Sequence, residues 1–108
     1  MYRQGDVLLV RVDEIPIGLK PLSRRGERIV LALGEVGGHA HAILSPHAVG
    51  FGRSGQTEPA YLVVEAETVD LEHEEHATIC IPRGVYRVVR QREYSEFGGY
   101  HGFAYVWD

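Results

Sequence analysis

The chain has 108 residues, 44% of them apolar and 24% charged, and its 11 basic against 15 acidic residues give a net charge of −4. These values predict one soluble domain over residues 1–108, exclude wholesale disorder and disfavour nucleic acid as a partner. The single cysteine excludes an intrachain disulfide. Since no leader segment or membrane-length apolar run is visible, we expect a cytoplasmic protein without membrane contact. Six histidines are the unusual feature.

Short segments rich in Val, Ile, Leu and Tyr alternate with glycines and prolines, a pattern typical of an all-β sandwich or barrel. The predicted strands, in chain order, are 6–12, 27–33, 39–44, 60–66, 68–73, 77–81, 85–94 and 103–107. The segments 14–26, 50–59 and 96–102 are predicted loops. We therefore expect a small, single-domain antiparallel barrel or sandwich with little or no helix.

The first histidine pair, His39 and His41, follows two glycines in a predicted strand. Alternate residues of a strand point to the same face, so the two imidazoles are expected side by side. This spacing lets a β-scaffold offer two nitrogen ligands to one metal ion.

The second pair, His73 and His76, lies between two predicted strands. His73 continues an inward-facing row with Val69 and Leu71, and a hairpin turn can return His76 toward it. The two pairs together make a four-ligand set, or three ligands with an open position. Imidazole-rich sites suit zinc, nickel, iron or copper, so we expect one divalent transition metal as cofactor.

Glu74 and Glu75, between the second pair, are candidate catalytic residues that could act as a general base. They could equally supply a further metal ligand or accept hydrogen bonds from the imidazoles. The alternative without a functional role is a solvent-exposed acidic turn. His47 and His101 fall in loop segments and receive no role.

A group of arginines in the predicted strand 85–94 forms a second candidate site. Arg90 and Arg92 share a strand face with Tyr86 and Tyr94, and such a face can bind a phosphate or carboxylate. The alternative, which we favour, is cross-strand pairing of these arginines with glutamates. Cys80 is predicted to be a small buried residue without a nucleophilic role.

The His-x-His pair at 39–41 and the Pro-x-Gly turn at 82–84 resemble the two motifs of the cupins, small β-barrels that bind one metal ion. The cupin glutamate that follows the first pair is absent, because residues 42–45 are Ala-Ile-Leu-Ser. The histidine expected after the second turn is replaced by Arg87. The resemblance implies a metal-binding barrel.

The chain is also similar to a group of uncharacterised small bacterial and phage proteins. The shared motifs are Arg-Gln-Gly-Asp-Val at 3–7, Gly-His-Ala-His at 38–41, His-Glu-Glu-His at 73–76 and Arg-Gln-Arg-Glu-Tyr at 90–94. This similarity implies no activity, but it supports treating the two histidine motifs as one site.

Three functional hypotheses follow. The first is a metal-binding β-barrel protein, extended to a metal-dependent enzyme acting on a small molecule if a coordination position stays open. The second is metal-free cleavage of an RNA phosphodiester by two histidines, with Arg90 or Arg92 holding the phosphate; the net charge counts against it. The third is a non-enzymatic accessory module that docks on a partner through Tyr94, Phe97 and Tyr100. All three are compatible with a homo-oligomer.

Overall fold

The computed structural model describes residues 1–33 and 38–91, and every regular element in these ranges is a β-strand. The strands are β1 Tyr2–Gln4, β2 Val7–Val12, β3 Lys20–Pro21, β4 Ile29–Leu33, β5 Ala40–Ile43, β6 Ala48–Gly52, β7 Tyr61–Leu71 and β8 Ile79–Arg90. The predicted all-β class is therefore confirmed. In the same ranges no helix has the length and apolar character needed to cross a membrane.

Two antiparallel sheets make up the described part of the chain. The larger has six strands in the order β1-β2-β8-β7-β6-β3, and the smaller pairs β4 with β5. Because the six-stranded sheet has free edges at β1 and β3, the strands within 1–33 and 38–91 do not close into a barrel. The barrel form of the prediction is wrong for these residues, and the topology gives the cupin resemblance no support.

Four of the predicted strands merge into two long ones. Segments 60–66 and 68–73 lie in β7, and segments 77–81 and 85–94 contribute to β8. Proline and glycine usually interrupt a strand, which is why Pro82 and Gly84 suggested a break. β8 continues through them because the pairing of β7 with β8 changes register between Val64 and Thr68, opposite these residues.

Three short strands, β1, β3 and β6, were not predicted from the sequence. β6 contains two glycines, which lower strand propensity. At Gly50 an added Cβ would lie 2.9 Å from the Pro59 side chain, so the glycine permits a close approach of two segments. The predicted strand 103–107 lies outside the described residues.

One hydrophobic core is shared by the two sheets. Each fully buried aliphatic or aromatic side chain in it contributes roughly 1.5–3 kcal/mol to folding. The larger side chains of this core, which come from both sheets, are Val7, Leu9, Ile29, Leu31, Ile43, Leu62, Val64, Leu71, Ile81 and Tyr86.

An isolated bridge connects the smaller sheet to the end of β7. Ala42 N donates to Glu72 O and Glu72 N donates to Ala42 O, each at 2.9 Å. This bridge places the 73–76 turn beside the residues that begin β5. Both histidine motifs therefore meet at one end of the molecule.

Candidate metal centre

The four predicted histidine ligands form one group, called here the histidine cluster (His39, His41, His73 and His76). Ring centroids lie 4.3 Å apart for His41 and His73, 4.7 Å for His73 and His76, 5.7 Å for His39 and His73, and 5.8 Å for His41 and His76. Two imidazoles on one tetrahedral zinc ion have centroids about 5 Å apart, given the usual zinc–nitrogen bond length. The predicted convergence of the two pairs is observed, while metal ligation by them stays a prediction.

The tightest set of donors is His39, His73 and Glu74, called here the donor triad. One ligand atom from each of these residues lies within 4.8 Å of the other two. Two histidines and one carboxylate bind zinc in metalloproteases and iron(II) in oxygenases, and they leave coordination positions open. The triad joins two parts of the chain that the Ala42–Glu72 bridge holds together.

Glu74 is held by the backbone of the neighbouring strand. Its Oε1 accepts a hydrogen bond from Ala40 N at 2.9 Å. This hydrogen bond, which favours the charged form, lowers the pKa of the Glu74 carboxyl below its usual value, and the nearby His39 and His73 lower it further. A carboxylate with a lowered pKa is a weaker base, so its position suits a metal ligand better than the predicted general base.

Glu75 contacts two of the histidines. Its backbone N–H donates to His73 Nδ1 at 3.0 Å, and its exposed carboxylate lies 3.7 Å from His39 Nδ1. The first contact identifies Nδ1 as the nitrogen of His73 that carries the lone pair. The second favours a proton on His39 Nδ1, which leaves Nε2 of that ring able to bind a cation. Glu75 is therefore placed to orient the imidazoles; its predicted catalytic role remains a prediction.

His41 is buried, and its tautomer is set by Gln4. Gln4 Nε2 donates to Leu71 O at 2.8 Å and to Ala77 O at 3.0 Å, so Oε1 of this amide is left as an acceptor. His41 Nδ1 lies 2.8 Å from that oxygen and must donate to it. On the other side of the ring, Nε2 lies 3.3 Å from Asp6 Oδ1. The His41 ring therefore lies between the Gln4 amide and the Asp6 carboxylate.

No role is predicted from the sequence for Gln4, Gly5 or Asp6, all of which lie beside the histidine cluster. Gly5 has φ of +58°, and an added Cβ would lie 2.7 Å from His76 Nε2 and 3.2 Å from His41 Cε1. Only glycine combines this backbone conformation with such an approach. The one sequence signal was the resemblance noted for the motif at 3–7.

Arg90, one of the two arginines of the predicted anion site, contacts backbone carbonyls and a glutamate. It is buried; its Nε donates to Leu31 O at 2.8 Å and lies 3.4 Å from Glu58 Oε1, and Nη2 donates to Pro59 O. These contacts favour the alternative interpretation of pairing with a glutamate. Arg92 lies outside the described residues, so anion binding by this pair stays a prediction.

The remaining histidines do not join the cluster in the described structure. His47 is exposed in the connection between β5 and β6. His101 lies outside the described residues, as do Tyr94, Phe97 and Tyr100 of the predicted docking surface.

Cys80 is exposed, so its predicted burial is wrong. The side chain lies opposite Asp70 in the β7–β8 pairing, and Sγ donates to Asp70 Oδ1 at 3.4 Å. This hydrogen bond and the negative charge of Asp70 raise the pKa of the Cys80 thiol above its usual value. The prediction that Cys80 is not a nucleophile agrees with this shift.

We expect Asp70→Asn to lower the pKa of Cys80 and to increase its alkylation by iodoacetamide severalfold at pH 8, since more thiolate is then present. Mass spectrometry of timed samples measures the rate. Asp13→Asn, which changes an exposed acid away from the thiol, is the control and should leave the rate unchanged. Equal rates for Asp70→Asn and the unaltered protein would contradict this account of the shift.

Comparison with known proteins places the chain in a family. A family model described as "Domain of unknown function (DUF8820)" matches residues 3–91, a range that contains the histidine cluster, Gln4 and Asp6. Searches of curated proteins and of solved structures find no match. The chain therefore belongs to the family described as Domain of unknown function DUF8820.

Proposed function

We propose that the chain binds one divalent transition metal ion through His39, His73 and Glu74. The observation that carries this proposal is the meeting of two imidazoles and a carboxylate within 4.8 Å, supplied by segments on either side of the Ala42–Glu72 bridge. Zinc, nickel, iron and copper all accept imidazole ligands. The mixed nitrogen and oxygen donor set makes zinc and iron(II) the best matches.

Hydrogen bonds and charges from neighbouring groups orient the donor triad, as such groups do for the ligands of known metal sites. Ala40 N–H fixes one oxygen of Glu74, and the remaining lone pairs of that carboxylate stay available. The Glu75 carboxylate lies beside His39. Binding through Nδ1 of His73 requires the hydrogen bond from Glu75 N to be exchanged for a metal–ligand bond, so the 73–76 turn adjusts on binding.

A metal ion on the donor triad would keep coordination positions open for a substrate. A metal ion with three protein ligands keeps open positions at which it polarises a substrate oxygen as a Lewis acid. His41 and His76 adjoin the triad, and His41, whose Nδ1 proton is fixed by Gln4, can hold or transfer a proton only at Nε2. These features support the extended hypothesis of a metal-dependent enzyme acting on a small molecule.

A zinc titration of protein freed of metal by chelator dialysis tests the proposal. We expect isothermal titration calorimetry to give one ion per chain. We expect His39→Ala, His73→Ala and Glu74→Ala each to weaken binding by about 100-fold or more, since loss of a residue that merely orients a ligand already costs about 10- to 100-fold.

His47→Ala is the matched control, because it removes an exposed imidazole outside the histidine cluster and should leave the affinity unchanged. Absence of stoichiometric zinc, or undiminished affinity in a His39→Ala/His73→Ala double variant, would overturn the proposal. Circular dichroism of each variant shows whether the sheets remain folded.

A further inference from the structure

A pocket of about 180 Å³ opens beside two members of the donor triad, His73 and Glu74. Its lining also includes Arg28 and the alanines of β5. The pocket is therefore small, partly apolar and next to the position proposed for the metal ion.

Arg28 differs from Arg24 and Arg90 in what its guanidinium contacts. Arg24 donates to four backbone carbonyls, and Arg90 donates to two and lies beside Glu58. Arg28 is half-buried and lines the pocket, and in residues 1–33 and 38–91 its side chain makes no hydrogen bond or ion pair. A partly desolvated guanidinium offers a planar array of donors that matches a carboxylate.

The charge of the lining indicates what the pocket can hold. Arg28 faces two acidic residues of the lining, Glu72 and Glu74, so the pocket without metal carries a net negative charge and repels anions. A divalent cation on the donor triad changes this to one net positive charge. A monoanion then neutralises the pocket, whereas a doubly charged phosphate would be left with an excess of negative charge near Glu72.

We propose that the pocket binds a small aliphatic monocarboxylate, with its carboxylate on Arg28 and its carbon chain against Ala40 and Ala42, and that it does so only when the metal ion is present. This inference rests on the proposed function and adds a substrate class to it. It also assigns an order of binding, metal before carboxylate, that follows from the charge of the lining.

Propionate is the probe. Zinc binding is measured first by calorimetry, and propionate is then titrated into the zinc-loaded and the zinc-free protein while backbone amide signals of Ala42 and Thr78 are followed by NMR. We expect saturable shifts in the zinc-loaded protein and none in the zinc-free protein. We expect Arg28→Gln to weaken propionate binding about tenfold or more through loss of a bidentate charged contact, while zinc still binds at one ion per chain.

Arg25→Gln is the matched control, because Arg25 is exposed, pairs with Arg28 only through the backbone and does not line this pocket. It should leave propionate binding unchanged. If zinc binds but propionate does not, or binds equally well to Arg28→Gln or to the zinc-free protein, this inference is wrong while the proposed function stands. Tighter binding of inorganic phosphate than of propionate would overturn the assigned class. Failure of zinc to bind would overturn the proposed function itself.

Discussion

Replacement of Gln4 by leucine is expected to lower the free energy of unfolding by about 3 kcal/mol and to leave zinc binding by the donor triad unchanged, because Gln4 contacts His41 and none of the three proposed ligands. Gln4 is buried and its side chain contacts three partners, Leu71 O, Ala77 O and His41 Nδ1. Leucine fills a similar volume but leaves two carbonyls without this donor and the imidazole without this acceptor. The His41 ring then loses the contact that fixes its tautomer.

Urea unfolding of the metal-free variant measures the loss of stability, and calorimetric zinc titration checks that the affinity is unchanged. Gln4→Glu keeps an acceptor for His41 but removes the amide donor to both carbonyls, so we expect it to be destabilised as well. Glu67→Leu, on an exposed position of β7, controls for the introduction of leucine. A change in unfolding free energy below about 0.5 kcal/mol for Gln4→Leu, the range of surface substitutions, would refute the structural role assigned to Gln4.

Replacement of Arg90 by methionine is expected to cost about 2–3 kcal/mol of stability, because buried carbonyls lose a charged hydrogen-bond donor. Methionine retains most of the apolar stem. It removes the donors to Leu31 O and Pro59 O and the cation beside Glu58. Since Leu31 belongs to the smaller sheet and Arg90 to the larger, the variant also loosens the contact between the sheets.

Denaturant unfolding measures this loss, and Arg87→Met serves as its control because Arg87 is exposed on the same strand. Inorganic phosphate added to the unaltered protein tests the original anion-binding interpretation. Stabilisation by phosphate that disappears in Arg90→Met would support an anion site. A loss of less than about 1 kcal/mol in Arg90→Met would show that the buried contacts contribute little.

The sequence predicted the fold class and the grouping within each histidine pair because both depend on local rules, whereas the Ala42–Glu72 bridge that brings the two pairs together is a long-range contact. Alternation in a strand placed His73 in line with Val69 and Leu71, and the short spacing to His76 required a turn. The same rule correctly grouped Tyr86 with Arg90 on one face of β8. Strand alternation could not show that this face of β8 stays buried up to Arg90, because burial depends on which segment packs over the face.

Gln4 and Asp6 could not be found from local patterns. The hydrogen bond from Gln4 to Ala77 joins residues 73 positions apart, and no periodicity connects the two segments. The role proposed for Arg28 depends in the same way on long-range placement, since what distinguishes it from Arg24 is that its side chain makes no hydrogen bond to a carbonyl of the described residues and lines a pocket with His73 and Glu74. The sequence pattern identifies candidate site residues, while tertiary packing decides which of their polar groups already have a hydrogen-bond partner within the protein.

The bridge between Ala42 and Glu72 has a thermodynamic consequence. The proposed ligands on its two sides adjoin different sheets, His39 just before β5 and His73 and Glu74 just after β7, so a bound ion acts as a reversible cross-link that closes the loop between the two histidine motifs. At a free metal concentration one hundred times the dissociation constant, such a link stabilises the folded chain by about 2.7 kcal/mol. The free metal concentration would then determine how stably the two-stranded sheet packs on the rest of the chain. Resistance to proteolysis would increase with that concentration.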